Sequence, residues 1–192
     1  MDFVSGAPIL DFECKYKSTI GMSRSMTLQL DLNVMSLKTL KPGSDDHTMS
    51  VDCVSSTQIS KNSPCEIQIE YREKEGFQHF NHTKKFIFST PDQAVRFQKH
   101  LDVMRESGRK LKSIFSEIDK RGTGHLSSGM IYKAMKENGM DVGKGNAEAV
   151  AMLSLADKDA SDGIDFVEFF RLFMFTPCST VHQALTEWRN KL

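Results

Sequence analysis

The chain has 192 residues, of which 39% are hydrophobic and 26% are charged, and this composition is typical of soluble globular proteins. Lys and Arg together number 25, as do Asp and Glu, so the net charge indicates neither a nucleic acid nor a strongly anionic surface as a partner. No apolar run approaches the roughly 18 residues of a membrane span, and the first residues do not form a secretory signal. We therefore expect a cytoplasmic protein without a transmembrane segment, either free or peripheral to a membrane.

Alternation of apolar and polar residues dominates the chain up to about residue 89. Candidate strands with this alternation span residues 12–17, 26–34, 34–40, 48–54, 65–71 and 85–88. Residues typical of turns separate them at 41–46, 61–64 and 75–76. Short strands with frequent turns predict an antiparallel β-barrel or sandwich.

A helix start follows at Thr90-Pro91-Asp92-Gln93. Thr90 can cap the helix, Pro91 fits the first helical position, and Gln93 completes a capping box. Further along, four apolar residues follow at helical spacing: Val95, Phe97, Leu101 and Met104. Gly108 is expected to end or bend this helix.

The rest of the chain predicts helices separated by two loops. Apolar stripes at helical spacing comprise Leu111, Ile114, Phe115 and Ile118; Met130, Ile131, Ala134 and Met135; Val150, Ala151 and Leu155; Phe166, Phe169, Phe170 and Phe173; and Val181, Leu185 and Trp188. The predicted fold class is therefore α+β. We expect a first domain at 1–107, a helical pair at 108–176 and a final amphipathic helix at 177–192.

Residues 157–168, DKDASDGIDFVE, concentrate five acidic residues in a chain that is neutral overall. Their spacing matches the calcium loop that places oxygen ligands at positions 1, 3, 5, 7, 9 and 12 and a hydrophobic residue at position 8. The predicted ligands are the side chains of Asp157, Asp159, Ser161, Asp165 and Glu168 and the main-chain carbonyl of Gly163. Asp162 replaces the usual glycine at position 6, and Asp tolerates left-handed backbone angles better than most residues. The alternative is a solvated acidic turn between two helices.

An upstream stretch of the same length, residues 119–130, fits the loop at positions 1, 5, 6, 8 and 9, with Asp119, Thr123, Gly124, Leu126 and Ser127, but lacks two ligands. Arg121 stands at position 3, and Met130 replaces the Glu of position 12. We expect this loop to keep the shape without binding calcium. We also expect it to pack against the second loop through a β-bridge between Leu126 and Ile164.

These patterns resemble known families. Residues 109–176 resemble the EF-hand superfamily, and the preceding part resembles a pleckstrin-homology domain, with Phe97 where that family usually has a Trp. A pleckstrin-like domain followed by EF-hands is similar to the front of phosphoinositide-specific phospholipases C. Residues 164–188 resemble the end of the regulatory domain of calcium-regulated mitochondrial ATP-Mg/phosphate carriers. That resemblance implies a switch helix at 180–192 with an apolar face of Val181, Leu185 and Trp188; the alternative is that this helix completes the core.

The first domain offers a candidate lipid site. Lys15, Lys17 and Arg24 flank a predicted connection between strands, and bases clustered there would bind an anionic lipid headgroup. The alternative is scattered surface charge. His79 and His82 are three residues apart, but their segment is predicted to be a loop with no Cys or carboxylate nearby, so no zinc site is expected.

No motif places a nucleophile beside a base, so we expect no catalytic residues and no enzymatic activity. The sequence predicts a calcium-binding regulatory and interaction module that binds Ca²⁺ and, in addition, a partner protein or its own final helix. Two alternatives stay open. One is a structural scaffold for protein or lipid with a degenerate EF-hand pair, and the other is the non-catalytic front part of a larger phospholipase, oxidase or carrier.

Overall fold

The computed structural model describes residues 9–18, 22–32, 34–43, 46–75, 77–139, 147–157 and 159–175. The chain forms two compact units, Met1–Ser107 and Gly108–Leu192. The boundary between them falls inside helix α1 (Pro91–Ile118). Gly108 therefore does not end this helix, contrary to one of the two expectations from the sequence. A glycine inside a helix costs only about 1 kcal/mol relative to alanine, so helical hydrogen bonding can continue through it.

The first unit is built on one seven-stranded antiparallel sheet. Its strands are β1 (Ile9–Lys17), β2 (Ser23–Asp31), β3 (Ser36–Leu40), β4 (His47–Ser50), β5 (Val54–Ser60), β6 (Ser63–Glu75) and β7 (Gln78–Phe88). They lie in the order β4-β3-β2-β1-β7-β6-β5, and the described residues form no ladder between the two edge strands. Seven antiparallel strands followed by a helix confirm the α+β class and the organisation that the pleckstrin-homology resemblance implied.

Three strands differ from those predicted. The candidate strand at 48–54 is interrupted, because β4 ends at Ser50, a short 3-10 helix covers Val51–Cys53, and Val54 begins β5. The pattern does not show β5 as a separate strand, because its sequence VSSTQIS contains no alternating run of large apolar residues. β7 begins at Gln78, so His79 and His82 lie on a strand and not in a loop. The β6–β7 ladder continues from Glu66↔Ile87 to Glu75↔Gln78. Main-chain pairing thus extends both strands beyond the part that packs in the core.

The core of the first unit lies between the sheet and α1. The hydroxyl of Thr90 accepts a hydrogen bond from the main-chain N–H of Gln93 at 3.3 Å, so the predicted cap is confirmed. Phe97 is fully buried, and the centre of its ring lies 5.1 Å from that of Phe12 and 5.2 Å from that of Phe88. Through these aromatic contacts the helix packs against β1 and β7.

Three connections between strands lie at the same end of the sheet. Lys17 pairs with Ser23, so the β1–β2 connection follows directly. Thr27 pairs with Leu40, which places the β3–β4 connection beside it. Lys17 also pairs with Lys85 of β7. The residues of β7 before Lys85 extend beyond this end of β1 and lead back to the β6–β7 turn. Side chains near these three connections can therefore meet, although they are far apart in the sequence.

The second unit contains the end of α1 and the helices α2 (Ser128–Glu137), α3 (Ala147–Ala156) and α4 (Phe166–Phe175). Its largest buried side chains include Phe115, Ile131, Met135, Met152, Phe169 and Phe170. The rings of Phe115 and Phe169 meet edge to face with their centres 5.6 Å apart. The described part of this unit has helices and one isolated β-bridge, in agreement with the predicted helical organisation.

Two predicted apolar stripes contain residues that are not buried, one residue on α1 and two on α3. On α1, Val95 is 53% exposed and Ala94 takes the buried position. On α3, Val150 and Leu155 are 42% and 39% exposed. The buried residues of α3 are Ala149, Met152 and Ala156. Alanines fill positions where a helix packs closely, and a pattern that weights large apolar residues misses them.

The predicted final helix, with Val181, Leu185 and Trp188, lies outside the described residues and stays a prediction. Within the part of the chain that the structure describes, no helix combines the length and the apolar character that crossing a membrane requires.

Candidate metal centre

The two loops of the second unit are joined by main-chain hydrogen bonds. The N–H of Leu126 donates to the carbonyl of Ile164 at 2.9 Å, and the N–H of Ile164 donates to the carbonyl of Leu126 at 3.0 Å. Both side chains are fully buried. The predicted bridge between these residues is therefore confirmed, and it fixes loop 157–168 against loop 119–130.

Gly163 marks the closest approach of the two loops. A Cβ atom at this position would lie 3.0 Å from the Cβ of His125, which is closer than real Cβ atoms normally approach other heavy atoms. The missing side chain therefore allows the main chain of the second loop to sit next to the first.

Three predicted ligands converge within the second loop. One carboxylate oxygen from each of Asp157, Asp159 and Glu168 lies within 4.8 Å of the other two. Glu168 is buried, whereas Asp159 is exposed. Three carboxylates this close repel one another unless a cation or hydrogen-bond donors offset their charge.

Glu168 is held in place by the start of α4. Its side chain accepts a hydrogen bond from the N–H of Asp165 at 3.1 Å, and its own N–H donates to the Asp165 carboxylate at 2.8 Å. This reciprocal pair is a capping box, with Asp165 before the helix and Glu168 as its third residue. The same two residues are the ligands predicted at positions 9 and 12.

The remaining carboxylates are positioned by main-chain donors in the loop. Asp157 accepts hydrogen bonds from the N–H groups of Ser161 and Asp162 at 3.0 and 3.1 Å. Asp159 accepts from the N–H of Ser161 at 3.1 Å. Hydrogen bonding, above all from the Ser161 side chain, holds the pKa of Asp159 below its ordinary value. The Asp159 carboxylate is thus favoured in the charged form that binds a cation.

The backbone of the loop winds tightly, as a calcium loop must. Ala160 and Asp162 have φ angles of 57° and 61°, in the left-handed region. Asp162 therefore adopts the conformation for which glycine is usual at position 6. The Ser161 hydroxyl lies 3.0 Å from the carbonyl oxygen of Gly163, so the oxygens predicted at positions 5 and 7 are also neighbours.

The single carboxylate of the first loop, that of Asp119, accepts its hydrogen bonds from groups within the loop. Asp119 accepts hydrogen bonds from the N–H and hydroxyl of Thr123, both at 2.9 Å, and from the N–H of Gly124 at 2.7 Å. The Thr123 N–H is the chief cause of an Asp119 pKa below its ordinary value. Among the residues that the structure describes, the second loop contains the one group of three His, Cys, Asp or Glu side chains close enough to hold a metal.

The candidate lipid residues of the first unit are divided between the two faces of the sheet, with Arg24 on β2 and Lys15 and Lys17 on β1. Arg24 lines a cavity of about 600 Å³ together with Tyr16 and Lys41. Because side chains alternate along a strand, Lys15 and Lys17 point away from Tyr16 and do not line this cavity. Lys41 lies in the predicted turn at 41–46, and its ammonium is 5.8 Å from the centre of the Tyr16 ring. The sequence indicates only that Lys41 lies in a turn between two strands. The pairing of Thr27 with Leu40 places this turn at the same end of the sheet as the β1–β2 connection.

On the opposite face, Lys17 has an acidic partner. Its ammonium lies 3.2 Å from the buried carboxylate of Glu66, and the ammonium of Lys85 lies 3.4 Å from the other oxygen. Burial alone would raise the pKa of Glu66, but the hydrogen bonds and charges of both lysines outweigh it and hold the pKa below its ordinary value. Lys17 is therefore engaged in an ion pair inside the sheet.

No protein-family model matches the chain. Curated relatives include the mitochondrial adenyl nucleotide antiporter SLC25A24 of Danio rerio, 24% identical over 99 residues and 52% of this chain. The antiporter of the same name from Homo sapiens is 22% identical over 108 residues and 54% of this chain. Mitochondrial substrate carrier family protein C of Dictyostelium discoideum is 26% identical over 99 residues and 52% of this chain. The chain spans about a fifth of the length of these relatives, with 20%, 22% and 21% of them covered.

Solved structures give distant likenesses. Inner membrane complex sub-compartment protein 3 of Toxoplasma gondii has a TM-score of 0.42 at 13% identity, covering 50% of this chain and 74% of that one. The pleckstrin-homology domain from PfAPH has a TM-score of 0.39 at 16% identity, covering 49% and 80%. S. officinalis PLC21 has a TM-score of 0.44 at 11% identity, covering 92% of this chain and 27% of that one. None of these likenesses assigns a ligand or an activity to the chain.

Proposed function

We propose that this chain is a non-enzymatic, calcium-binding regulatory and interaction module. In this proposal residues 109–176 form an EF-hand pair that binds one Ca²⁺ in its second loop. The observation that carries the proposal is the convergence of the Asp157, Asp159 and Glu168 carboxylates within 4.8 Å of one another.

The donor set fits calcium better than a softer metal. Ca²⁺ takes six to eight oxygen ligands, and the loop offers three carboxylates, the Ser161 hydroxyl and the Gly163 carbonyl. No nitrogen or sulfur ligand belongs to the group. The Ca²⁺ would supply the positive charge that the three carboxylates lack, and Asp165 would fill position 9 directly or through water.

Glu168 links the proposed site to the helical core. It is both a metal-facing carboxylate and the third residue of α4, whose Phe169, Phe170 and Phe173 are buried. Phe169 packs on Phe115 of α1 at 5.6 Å between ring centres. A change in the interactions of Glu168 therefore acts on the start of a helix whose packing holds the second unit together.

The matches to mitochondrial antiporters agree with the resemblance of residues 164–188 to the regulatory domain of calcium-regulated carriers. By that resemblance the final helix, with Val181, Leu185 and Trp188, is the element that responds to calcium. Transport itself is not proposed for this chain.

The emission of Trp188 tests the regulatory part of the proposal. The chain has one Trp, so its fluorescence reports on the final helix alone. We expect the emission maximum to shift when calcium replaces a chelator, and the shift to disappear in Glu168→Gln. A silent Trp together with an identical protease digestion pattern in both conditions would favour the structural scaffold instead.

We also propose a second function for the first unit, the binding of an anionic headgroup in the cavity near Tyr16. The observation in its favour is that Arg24 and Lys41, from different connections, line one cavity of about 600 Å³. Binding to phosphatidylinositol bisphosphate vesicles should fall in Arg24→Ala and Lys41→Ala. Lys15→Ala, which removes an equal charge outside the cavity, is the control and should bind normally.

A further inference from the structure

The hairpin of β6 and β7 extends beyond the strands beside it. β1 stops pairing at Lys85 of β7, and β5 begins opposite Tyr71 of β6. Beyond Tyr71 the described residues of the two strands pair only with each other, as far as the pair Glu75↔Gln78. At roughly 3.3 Å per residue, this arm is about 13 Å long. It lies at the end of the sheet that carries the β1–β2 and β3–β4 connections.

Two phenylalanines lie at the end of this arm. Phe77 is in the turn between the two strands and is fully exposed, and Phe80, which pairs with Glu73, is 41% exposed. Contact between water and an aromatic side chain of this size is unfavourable, so a folded chain seldom leaves such a side chain entirely uncovered. We call Phe77 and Phe80 the aromatic tip.

The ionisable side chains described on the arm are compatible with an anionic surface. The Oε1 atom of Glu73 lies 2.9 Å from Nε2 of His47, and its Oε2 atom lies 3.5 Å from Nε2 of His82. With an imidazole beside each oxygen, this carboxylate depends less on the water that a membrane surface excludes. Arg72 and His79 are exposed, and an exposed Arg is attracted to anionic lipids.

The aromatic tip shares its end of the sheet with the cavity proposed to bind a headgroup. Arg24 and Lys41 line that cavity, and so does Met22, which is 52% exposed. The pairing of Lys17 with Ser23 places Met22 directly at this end. Exposed apolar side chains and the two cations of the cavity therefore occur at one end of one unit.

A tip of this size suits a bilayer better than a folded protein. A stable protein interface buries about 800 Å² on each partner. A Phe side chain contributes at most about 150–250 Å², so the two phenylalanines supply well below that area. A bilayer has no such requirement, because its lipids move apart around a small apolar group and cover it.

We propose that the aromatic tip inserts among the lipids of an anionic membrane surface while Arg24 and Lys41 bind a headgroup there. The inference rests on the proposed headgroup binding, to which it adds a second, apolar attachment. A single weak attachment gives marginal and reversible membrane binding, whereas two together hold a protein at the membrane. Loss of the apolar attachment should therefore weaken binding to vesicles strongly.

Two probes separate insertion from headgroup recognition. One is a vesicle of phosphatidylcholine, phosphatidylserine and phosphatidylinositol bisphosphate, and the other is soluble inositol trisphosphate, which carries phosphates without a bilayer. Phe77→Ser should weaken binding to the vesicles at least about tenfold and leave binding to inositol trisphosphate unchanged. Phe80→Ser should show a smaller loss of the same kind, because Phe80 is partly covered. Val95→Ser removes an exposed apolar side chain from α1 in the same unit and should change neither.

The outcomes distinguish the insertion from the headgroup proposal. If Arg24→Ala binds inositol trisphosphate as the unaltered chain does, the headgroup proposal fails, and the vesicle binding of the Phe variants still decides the insertion. Vesicle binding that is absent in the unaltered chain, or unchanged in both Phe77→Ser and Phe80→Ser, would overturn the insertion. Equal losses on the two probes would also overturn it, because they would show that the Phe variants act on the fold of the first unit.

A Trp at the tip reads the insertion directly. Phe77→Trp in a Trp188→Phe background places the single Trp of the chain in the turn. We expect its emission maximum to move to shorter wavelength when the vesicles are added, and brominated lipids to quench it. A shift that follows protein concentration without vesicles would assign the tip to a contact between copies of this chain and would overturn the inference.

Discussion

The main-chain N–H groups of Leu126 and Ile164 each donate a hydrogen bond to the other residue's carbonyl, at 2.9 and 3.0 Å. This pairing gives a physical reason for a first loop without metal ligands at positions 3 and 12. Its Asp119 is satisfied by its own main chain, while its Leu126 holds the second loop in position. The first loop thus contributes structure, and the second contributes the proposed chemistry.

The first prediction concerns Glu168. Replacing it by Gln should lower calcium affinity at least about tenfold, because a neutral amide cannot act as a bidentate anionic ligand. Gln is also accepted at the third position of a capping box, so α4 should keep its start. Calcium affinity by calorimetry and helix content by circular dichroism measure the two effects separately.

Glu117→Gln is the matched control for that variant. Glu117 is exposed on α1 in the same unit, so this change removes one negative charge without altering a residue of loop 157–168. Its calcium affinity should stay within about twofold of the unaltered chain, since Glu117 is not one of the predicted ligands and salt screens the charge of an exposed side chain. Equal losses in both variants would contradict the ligand role of Glu168.

The second prediction concerns the contact between the loops. Gly163→Ala should destabilise the second unit by about 1–3 kcal/mol, because the new Cβ would lie 3.0 Å from the Cβ of His125. Gly129→Ala is the control, since its new Cβ would meet nothing closer than 4.0 Å and lies in helix α2. Alanine is the better helix former, so Gly129→Ala should be neutral or stabilising by up to about 1 kcal/mol. Chemical denaturation in the presence of a chelator compares the two, and equal stabilities would refute the packing argument.

The third prediction is a gain of function in the first loop. The double variant Arg121→Asp, Met130→Glu restores acidic residues at positions 3 and 12. Met130 is the third residue of α2 after the cap Ser127, which is the same place that Glu168 occupies in α4. We expect a second calcium ion to bind this variant. Stoichiometry that stays at one would show that the first loop cannot close around a cation.

The fourth prediction is a pH dependence in the first unit. The pKa of Glu66 lies below its ordinary value of 4.5, so its ion pairs stabilise the folded state above that pH. As the pH falls through the lowered pKa, Glu66 takes up a proton and the contribution disappears. Glu66→Gln should therefore cost about 1–2 kcal/mol near neutral pH and much less in strong acid.

Thermal unfolding of Glu66→Gln and the unaltered chain from pH 7 to pH 3 measures this difference. Glu106→Gln, a change at an exposed position of α1 in the same unit, is the control and should show no such pH dependence. If the difference in stability between Glu66→Gln and the unaltered chain stays constant down to pH 3, the charges of the lysine pairs contribute nothing to stability.

The sequence predicts well those features that are local. The convergence of carboxylates in loop 157–168, the cap at Thr90 and the pairing of Leu126 with Ile164 could all be predicted, because each follows from residues at fixed positions within short motifs. The strands β1 to β3 follow the alternation of apolar residues for the same reason.

The remaining features depend on residues brought together by the sheet. The cavity lined by Arg24 and Lys41 joins two connections that are far apart in the sequence. The extent of β7 is set by its ladder with β6, not by the pattern of its own side chains. On α3, Ala149 is buried, but its side chain is too small for the sequence pattern to show which face of the helix packs in the core.

Calorimetric titration of calcium into the purified, metal-free chain tests the central claim most directly. The account predicts one calcium ion per chain, bound by the unaltered protein and weakened at least about tenfold in Glu168→Gln. No heat of binding at millimolar calcium, or one site whose affinity does not change in Glu168→Gln, would contradict it.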